Sequence, residues 1–368
     1  MFVKEGINLR IFSHHTFRLV FHREVVISAG QYEQATISMF PPDPAARAPS
    51  PAFLEAFREK SAGREAVLRF DAFMELALYH PTLGYYCRPQ QRVGYGDGTD
   101  FFTSSTSGLL FGELIGAACD SLLGKERLPE YTFVEIGAEP GGGILAGVAN
   151  RFGAVRTIQL GEPIALTGRC VVFSNELFDA QPFRRFVFRS GQWLEIAVQL
   201  REASLIEIEM AAETPPAGLP ASAPEGYHLD LPLASVRLAE QITSQPWTGL
   251  FVAFDYGKSW RELTEAAPAG TARAYHRHTQ SNDLLARPGE QDLTCHICWD
   301  WLVEALKKDG FATPRVETQE AFIIRHAAEF MAMATAAEAT RFSQRKLGLF
   351  QLLHHLGQKF QVLWAARE

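Results

Sequence analysis

The sequence predicts an α/β protein organised around a Rossmann-like sheet of parallel strands, shortened near its start. Three observations predict it. The first is Tyr131–Gly143, YTFVEIGAEPGGG. It reads as an alternating strand over Thr132–Ile136, a turn holding Gly137, Gly141, Gly142 and Gly143, and then the helix-forming run ILAGVANRF. The second is a pair of apolar runs, Arg169–Asn175 and Leu250–Gly257, of the kind buried on both faces of a parallel sheet and ending in polar residues. The third is a spacing. Gly137 and Asn175 are 175 − 137 = 38 residues apart, and a βαβ crossover takes about 30 or more. One crossover fits where a full half-sheet needs several.

Composition narrows the function classes. The 368 residues are 47% hydrophobic and 21% charged, an ordinary globular profile with ample core. The net charge is −7 and no basic tract stands out, which argues against nucleic acid and anionic membranes as partners. No apolar run is long enough to span a bilayer. The five cysteines, Cys87, Cys119, Cys170, Cys295 and Cys298, lack a disulfide-scaffold spacing. They point to a reducing, cytoplasmic compartment.

Three regions follow along the chain. Residues 1–50 read as a disordered tail and Pro/Ala linker, or as an upstream extension with Met39 as the natural start. Residues 51–130 read as a helical cover with a loop. PAFLEAFREKSA and RFDAFMELALYH have helical spacing, Asp71 is placed to cap the second helix, and Pro81 and Gly84 end it. The long loop GYYCRPQQRVGYGDGTDFFTSS precedes a helix over Leu109–Leu123, and loops of this length are usually functional.

Residues 131–368 hold the sheet, with an insertion at about 183–245. AVRTIQL is a strand. The chain between Leu160 and Arg169 has no room for a helix, so this strand and Arg169–Asn175 cannot be neighbours by a normal crossover. Phe183–Val198 reads as a hairpin about RSGQ, and Leu233–Thr243 as a helix. A helix is expected over LTCHICWDWLVEALKKDG, its last glycine the cap. Strands are expected at Glu320–Arg325 and Phe360–Ala366, with helix over Phe330–Leu353 between them.

SNELFDAQP carries the chemistry. Glu176 and Asp179, beside Asn175, suit a cationic amine and can receive its proton. They equally suit a helix start, with Ser174 or Asn175 as the cap and the acids at its positive end. Asp255 at a strand end has the same two readings. Cys295-His296-Ile297-Cys298 is a single CxxC, whereas zinc takes four ligands, so no metal site is expected and the thiols lie on or under a helix.

Taken in order, these motifs resemble the MidA family of S-adenosylmethionine-dependent methyltransferases, whose mitochondrial members are protein-arginine methyltransferases acting in respiratory complex I assembly. The resemblance runs from about Phe70 to the C-terminus. It opens with Phe73–Pro81 and Gly84-Tyr85-Tyr86, continues through Asp100–Ser104 and Phe111-Gly112-Glu113, and passes to the glycine motif on Val134–Gly141. It then takes in Asn175–Phe183, Phe254–Gly257, Pro288-Gly289 with Asp292-Leu293-Thr294 and His296, and a final strand motif on Gln319 and Phe322.

The resemblance implies a class I methyltransferase fold with S-adenosyl-L-methionine bound by Glu135, Gly137, Ala138, Gly141, Thr103, Asp255 and Glu162. It implies Glu176, Asp179 and Asn175 as catalytic residues, and Tyr85, Tyr86, Asp100 and Phe101 as a loop closing over the substrate. The implied partner is a protein, a respiratory-complex subunit among the candidates, and the compartment in a eukaryote is the mitochondrial matrix. The chain departs from the family at Glu139, which replaces a glycine and is followed by Pro140. A negative side chain there repels a phosphate, which argues against a dinucleotide. The strand expected to end in a ribose-binding acid about 20 residues after the glycines is missing or reduced, and Glu162 is the nearby acid. Both departures keep open an alternative, a catalytically weakened relative acting as an assembly or binding protein.

Overall fold

The computed structural model describes residues 48–61, 66–88, 92, 109–138, 143–337 and 344–368. Its central sheet contains β1 (Thr132–Ile136), β2 (Ala154–Ile158), β3 (Gly168–Asn175), β4 (Trp247–Asp255), β5 (Ala312–Thr318) and β6 (Gln361–Arg367). The order across the sheet is β5-β6-β4-β3-β1-β2. β2, β1, β3 and β4 run parallel, and β6 lies antiparallel between β4 and β5. This is the expected Rossmann-like class.

Strand alternation gives the sheet two apolar faces. Phe133, Val171, Phe173, Leu250, Val252, Phe254 and Val362 enter one core, covered by helices Leu109–Leu123 and Gln319–His326. Val134, Ile136, Cys170, Val172, Phe251, Ala253 and Leu363 enter the other, covered by helices Leu233–Thr243 and Trp299–Lys308.

The shortening lies where the spacing placed it. One strand, β2, stands between β1 and β3 in sequence, and β2 and β3 flank β1 on opposite sides. The strand expected to be missing or reduced is present as these five residues. The run ILAGVANRF, expected to be a helix, is helical only at Leu145–Val148. Packing explains this. Gly147 lies so close to the Leu109–Leu123 helix that a Cβ on it would stand 2.7 Å from Gly112 Cα. The chain must also turn by Gly153 to enter β2.

A second, antiparallel sheet is built from Val67–Arg69, Arg184–Arg189, Gln192–Arg201, Ser204–Met210 and His228–Leu231. Its hairpin turns on Ser190 (φ 48°) and Gly191 (φ 83°), the left-handed pair that suits a two-residue turn. Helices Pro51–Lys60 and Phe70–Tyr79 pack Phe53, Phe57, Phe70 and Phe73 into the same core as Phe183, Val198 and Leu200 of this layer. The second of these helices starts at Arg69 with no side-chain cap; Asp71 lies inside its first turn and pairs with Arg69 at 2.7 Å.

Two further expectations are corrected. Glu320–Arg325 is helical, within Gln319–His326. Thr318 caps that helix by accepting the Ala321 N–H at 3.2 Å, and Gln319 donates to the Leu352 carbonyl at 2.8 Å, so the strand β5 stops at Thr318. The helix expected over LTCHICWDWLVEALKKDG begins only at Trp299. Before it, the Cys295 N–H donates to the Asp179 carbonyl (3.1 Å) and the Ile297 N–H to the Tyr256 carbonyl (3.0 Å), bonds that hold this stretch extended. Between β5 and β6 the described residues are helical over Gln319–His326, Ala328–Ala337 and Gln344–Phe350. No described helix is long and apolar enough to cross a membrane.

Candidate active site

The chain leaves β1 towards β2 on one side and comes back as β3 on the other, so the C-terminal ends of β1 and β3 flank the topological switch point where open α/β sheets bind ligands. The loop after β1 begins at Gly137 (φ 83°), whose N–H donates to the Ile158 carbonyl at 3.0 Å. A Cβ on Gly137 would stand 2.7 Å from Leu177 Cδ1, so the loops after β1 and β3 touch through this glycine.

Glu135 closes the base of the same loop. Both its oxygens lie within reach of the Ile144 N–H, at 3.1 and 3.0 Å, and it is 4% exposed. Burial pushes its carboxyl up to about 7 against the pull of the Ile144 and Leu145 N–H groups. Gly143 (φ 93°) lies beside it, and a Cβ there would stand 2.6 Å from Glu135 Oε2. Glu135 thus shapes the loop from beneath. Ala138 ends the described part of the loop; Glu139 and Gly141 lie outside the described residues, as do Asp100, Phe101 and Thr103.

The loop after β3 carries the acids. The Glu176 N–H donates to the Phe254 carbonyl at 2.9 Å, and its φ is 52°, a left-handed conformation that costs a non-glycine residue about 1 kcal/mol. Asp255, fully buried, accepts the N–H groups of Phe178 and Tyr256, each at 2.8 Å. It therefore organises the Glu176–Asp179 loop, while burial raises its carboxyl to about 7. Burial raises Glu176 well above the carboxylate range, reinforced by the charges of Asp255 and Asp292 and opposed by a hydrogen bond from Asn175 at 3.1 Å. Burial raises Asp179 as well, with Asp255, Glu176 and Asp292 adding to it. Asn175 Oδ1 and Asp179 Oδ1 are buried and have no hydrogen-bond partner among the described residues. Buried polar atoms of this kind usually have one.

Other residues complete the site. Tyr86 donates its hydroxyl to Asp292 at 2.8 Å, and Tyr79 donates to the Ala180 carbonyl at 2.8 Å; their rings stack at 5.6 Å. Tyr256 and Tyr275 face the same acids: burial raises both phenols, and the charges of Glu176 and Asp179 raise them further. The sequence reading missed Tyr79, Tyr256, Tyr275 and Asp292 as site residues. The one signal was that Tyr79, Tyr256 and Asp292 stand in recognisable motifs; Tyr275 stands in none, and no spacing brings the four together.

Two expected residues lie elsewhere. Tyr85 is fully buried in the core of the second layer, under the guanidinium of Arg92, and so does not close over the crevice. Glu162 stands beyond the tip of β2, where its carboxylate accepts the Gln159 N–H at 2.8 Å; the residue at the strand tip itself is Gln159. Among the described residues no three His, Cys, Asp or Glu side chains converge as a metal site. The arrangement suits an organic cation: buried carboxyls of raised proton affinity, walled by phenols.

A family model described as "Putative S-adenosyl-L-methionine-dependent methyltransferase" matches residues 155–316, which span β2, the Glu176–Asp179 loop, Asp255 and Asp292. A COG1565 superfamily member from Burkholderia thailandensis, solved with S-adenosyl-homocysteine bound, is 22% identical over 87% of this chain and 94% of its own, with a TM-score of 0.71. A native structure of an uncharacterized protein of that superfamily and organism is 20% identical over the same shares, with a TM-score of 0.70. At these identities the likeness is one of fold. No curated protein matches the chain.

Proposed function

We propose that the chain is an S-adenosyl-L-methionine-dependent methyltransferase whose acceptor is a side-chain nitrogen on a protein, the guanidinium of arginine first among candidates. One observation carries the reading: at the switch point, the left-handed Gly137 abuts the loop that carries Glu176 and Asp179, and the buried Asp179 offers an unpartnered oxygen. The family match over residues 155–316 supports the reaction class. Resemblance to the MidA family supports the arginine acceptor and a respiratory-complex subunit as partner, in the cytoplasm or a mitochondrial matrix.

The residues present fit the cofactor. Gly137 leaves no Cβ between the two loops, and Ala138 continues the loop that Glu135 shapes from below, while Asp255 shapes the loop after β3; the resemblance adds Gly141 and Thr103, but not Glu162, whose carboxylate is held by the Gln159 N–H. When bound, the cofactor supplies a methyl group on a sulfonium. The rest of the chemistry belongs to the chain. A guanidinium stays protonated far above neutral pH, so its nitrogen attacks only as it loses a proton. Asp179 Oδ1 and Glu176 accept its N–H groups, hold the cation in place and take that proton, for which their raised affinity suits them. Asn175 orients Glu176.

Calorimetry with S-adenosyl-L-methionine and S-adenosyl-homocysteine tests the reading; no heat with either at millimolar concentration removes it. Glu176→Gln keeps S-adenosyl-homocysteine affinity within about threefold and cuts methyl transfer by 100-fold or more, the scale of a lost acid-base group. Unchanged turnover refutes the role given to Glu176. A second reading, a cofactor-weakened relative acting in assembly, is favoured by Gln159 standing where a ribose-binding acid belongs. The same calorimetry separates the two.

A further inference from the structure

We infer that Asp292, oriented by Tyr86, is an acceptor-binding residue beside the Glu176–Asp179 loop and makes the site selective for a positively charged group. The inference rests on the methyltransferase reading and goes beyond it by adding a residue that determines which acceptor is taken.

Asp292 stands on a fixed support. It begins the short strand Asp292–Thr294, paired antiparallel with Arg273–His276, so that Asp292 lies across from Tyr275. The chain that follows is tied to both site loops, through the Cys295 N–H to the Asp179 carbonyl at 3.1 Å and the Ile297 N–H to the Tyr256 carbonyl at 3.0 Å. The His296 N–H donates to Thr271 Oγ1 at 3.2 Å. These bonds hold the Asp292 strand beside the Glu176–Asp179 loop.

Its carboxyl points inward. Asp292 is 4% exposed, and its Oδ1 accepts both the Tyr86 hydroxyl at 2.8 Å and its neighbour's N–H, that of Leu293, at 2.9 Å. Tyr86 is itself fixed, stacked on Tyr79 and set edge-on to Tyr85 at 5.1 Å. The Tyr86 stack on Tyr79, whose hydroxyl bonds the Ala180 carbonyl at 2.8 Å, brings Asp292 beside the Asp179 loop, and its field raises the proton affinity of Glu176 and Asp179.

A crowd of acids alone does not define a site. The separate observation is Asp179, 3% exposed, whose Oδ1 is among these groups without a hydrogen-bond partner. Glu176, Asp179 and the fully buried Asp255 raise one another's proton affinity, so negative charge there is costly. A cation carrying several N–H groups offsets that cost by meeting the unpartnered Asp179 Oδ1, in a field to which Asp292 adds. A neutral group of the same shape finds acceptors but no charge compensation, so the carboxyls discriminate between the two.

The test uses the full chain with S-adenosyl-homocysteine present. Binding of acetyl-arginine amide is compared with that of acetyl-citrulline amide, its neutral isostere. The wild type prefers the arginine probe by at least tenfold, and Asp292→Asn loses most of that preference while S-adenosyl-homocysteine affinity changes by less than about twofold. In turnover, Asp292→Asn raises KM for the cationic acceptor more than it lowers kcat, a split that simple loosening of the fold does not give. Should Asp292→Asn fail to fold, Tyr86→Phe removes only the orienting hydroxyl and lowers the preference by about threefold. Preference undiminished in whichever of these variants folds, with S-adenosyl-homocysteine still bound, overturns the role of Asp292 and leaves the methyltransferase reading standing. A wild type that binds S-adenosyl-homocysteine but does not prefer the cation overturns the inference too. A wild type that binds no S-adenosyl-homocysteine overturns both.

Discussion

Replacing Glu135 by Gln tests the account of the glycine loop from its base. In the folded chain Glu135 titrates near 7 because it is buried, 4% exposed, with the Ile144 N–H as its partner. In an unfolded chain a glutamate titrates at about 4.3. A group held more tightly protonated in the folded state costs stability as pH rises from its unfolded value to its folded one, and the cost is constant above that. Each tenfold difference in proton affinity is worth about 1.36 kcal/mol. Between pH 5 and pH 8 the wild type therefore loses about 2.5 kcal/mol from this residue. Glutamine keeps a carbonyl oxygen for the Ile144 N–H and cannot ionise. Urea unfolding of both proteins at half-unit steps should show Glu135→Gln gaining on the wild type by about 2.5 kcal/mol from pH 5 to pH 8, with no further gain above. Parallel curves across that range would refute the buried, loop-closing position of Glu135.

Two other perturbations address the surroundings of the site. Gly112→Ala gains about 1 kcal/mol of helix propensity, but its Cβ would stand 2.5 Å from the Ile144 carbonyl oxygen and 2.9 Å from Gly147 Cα. Overpacking at about 1–3 kcal/mol wins, so thermal unfolding should show a net loss and calorimetry a weaker S-adenosyl-homocysteine; net stabilisation would show that the helix does not press on the loop. Tyr79→Phe removes the hydrogen bond to the Ala180 carbonyl at 2.8 Å. It should cost about 1 kcal/mol and lower kcat severalfold with cofactor affinity unchanged, since Ala180 follows Asp179 directly; equal kcat would show that the bond does not hold the acid loop.

What was legible in the sequence was the local signal. The strand into Gly137, the two apolar strands ending at Asn175 and Asp255, and the hairpin about Ser190-Gly191 each carry their cause within a dozen residues. The count from Gly137 to Asn175 gave the short sheet because a crossover has a minimum length. Where neighbours decided, the reading failed. The run after Gly143 is helix-forming by composition, yet contact with Gly112 and the turn at Gly153 leave it a single turn. Phe322-Ile323-Ile324 is β-like by composition, yet the Thr318 cap and the buried Gln319 bond make it a helix. The site shows the same divide. Glu176 and Asp179 stand together in one motif, whereas Tyr86 and Asp292, 206 residues apart in sequence, meet only through the fold.

The pairing of Val67 with Gln199 sets the order in which a nascent chain can assemble. Val67, between the helices at Pro51–Lys60 and Phe70–Tyr79, leaves the ribosome 199 − 67 = 132 residues before its partner Gln199. At about 5–20 residues per second that delay is on the order of ten seconds, during which Phe53, Phe70 and Phe73, though in contact with one another, lack the side of their core made by Phe183, Val198 and Leu200.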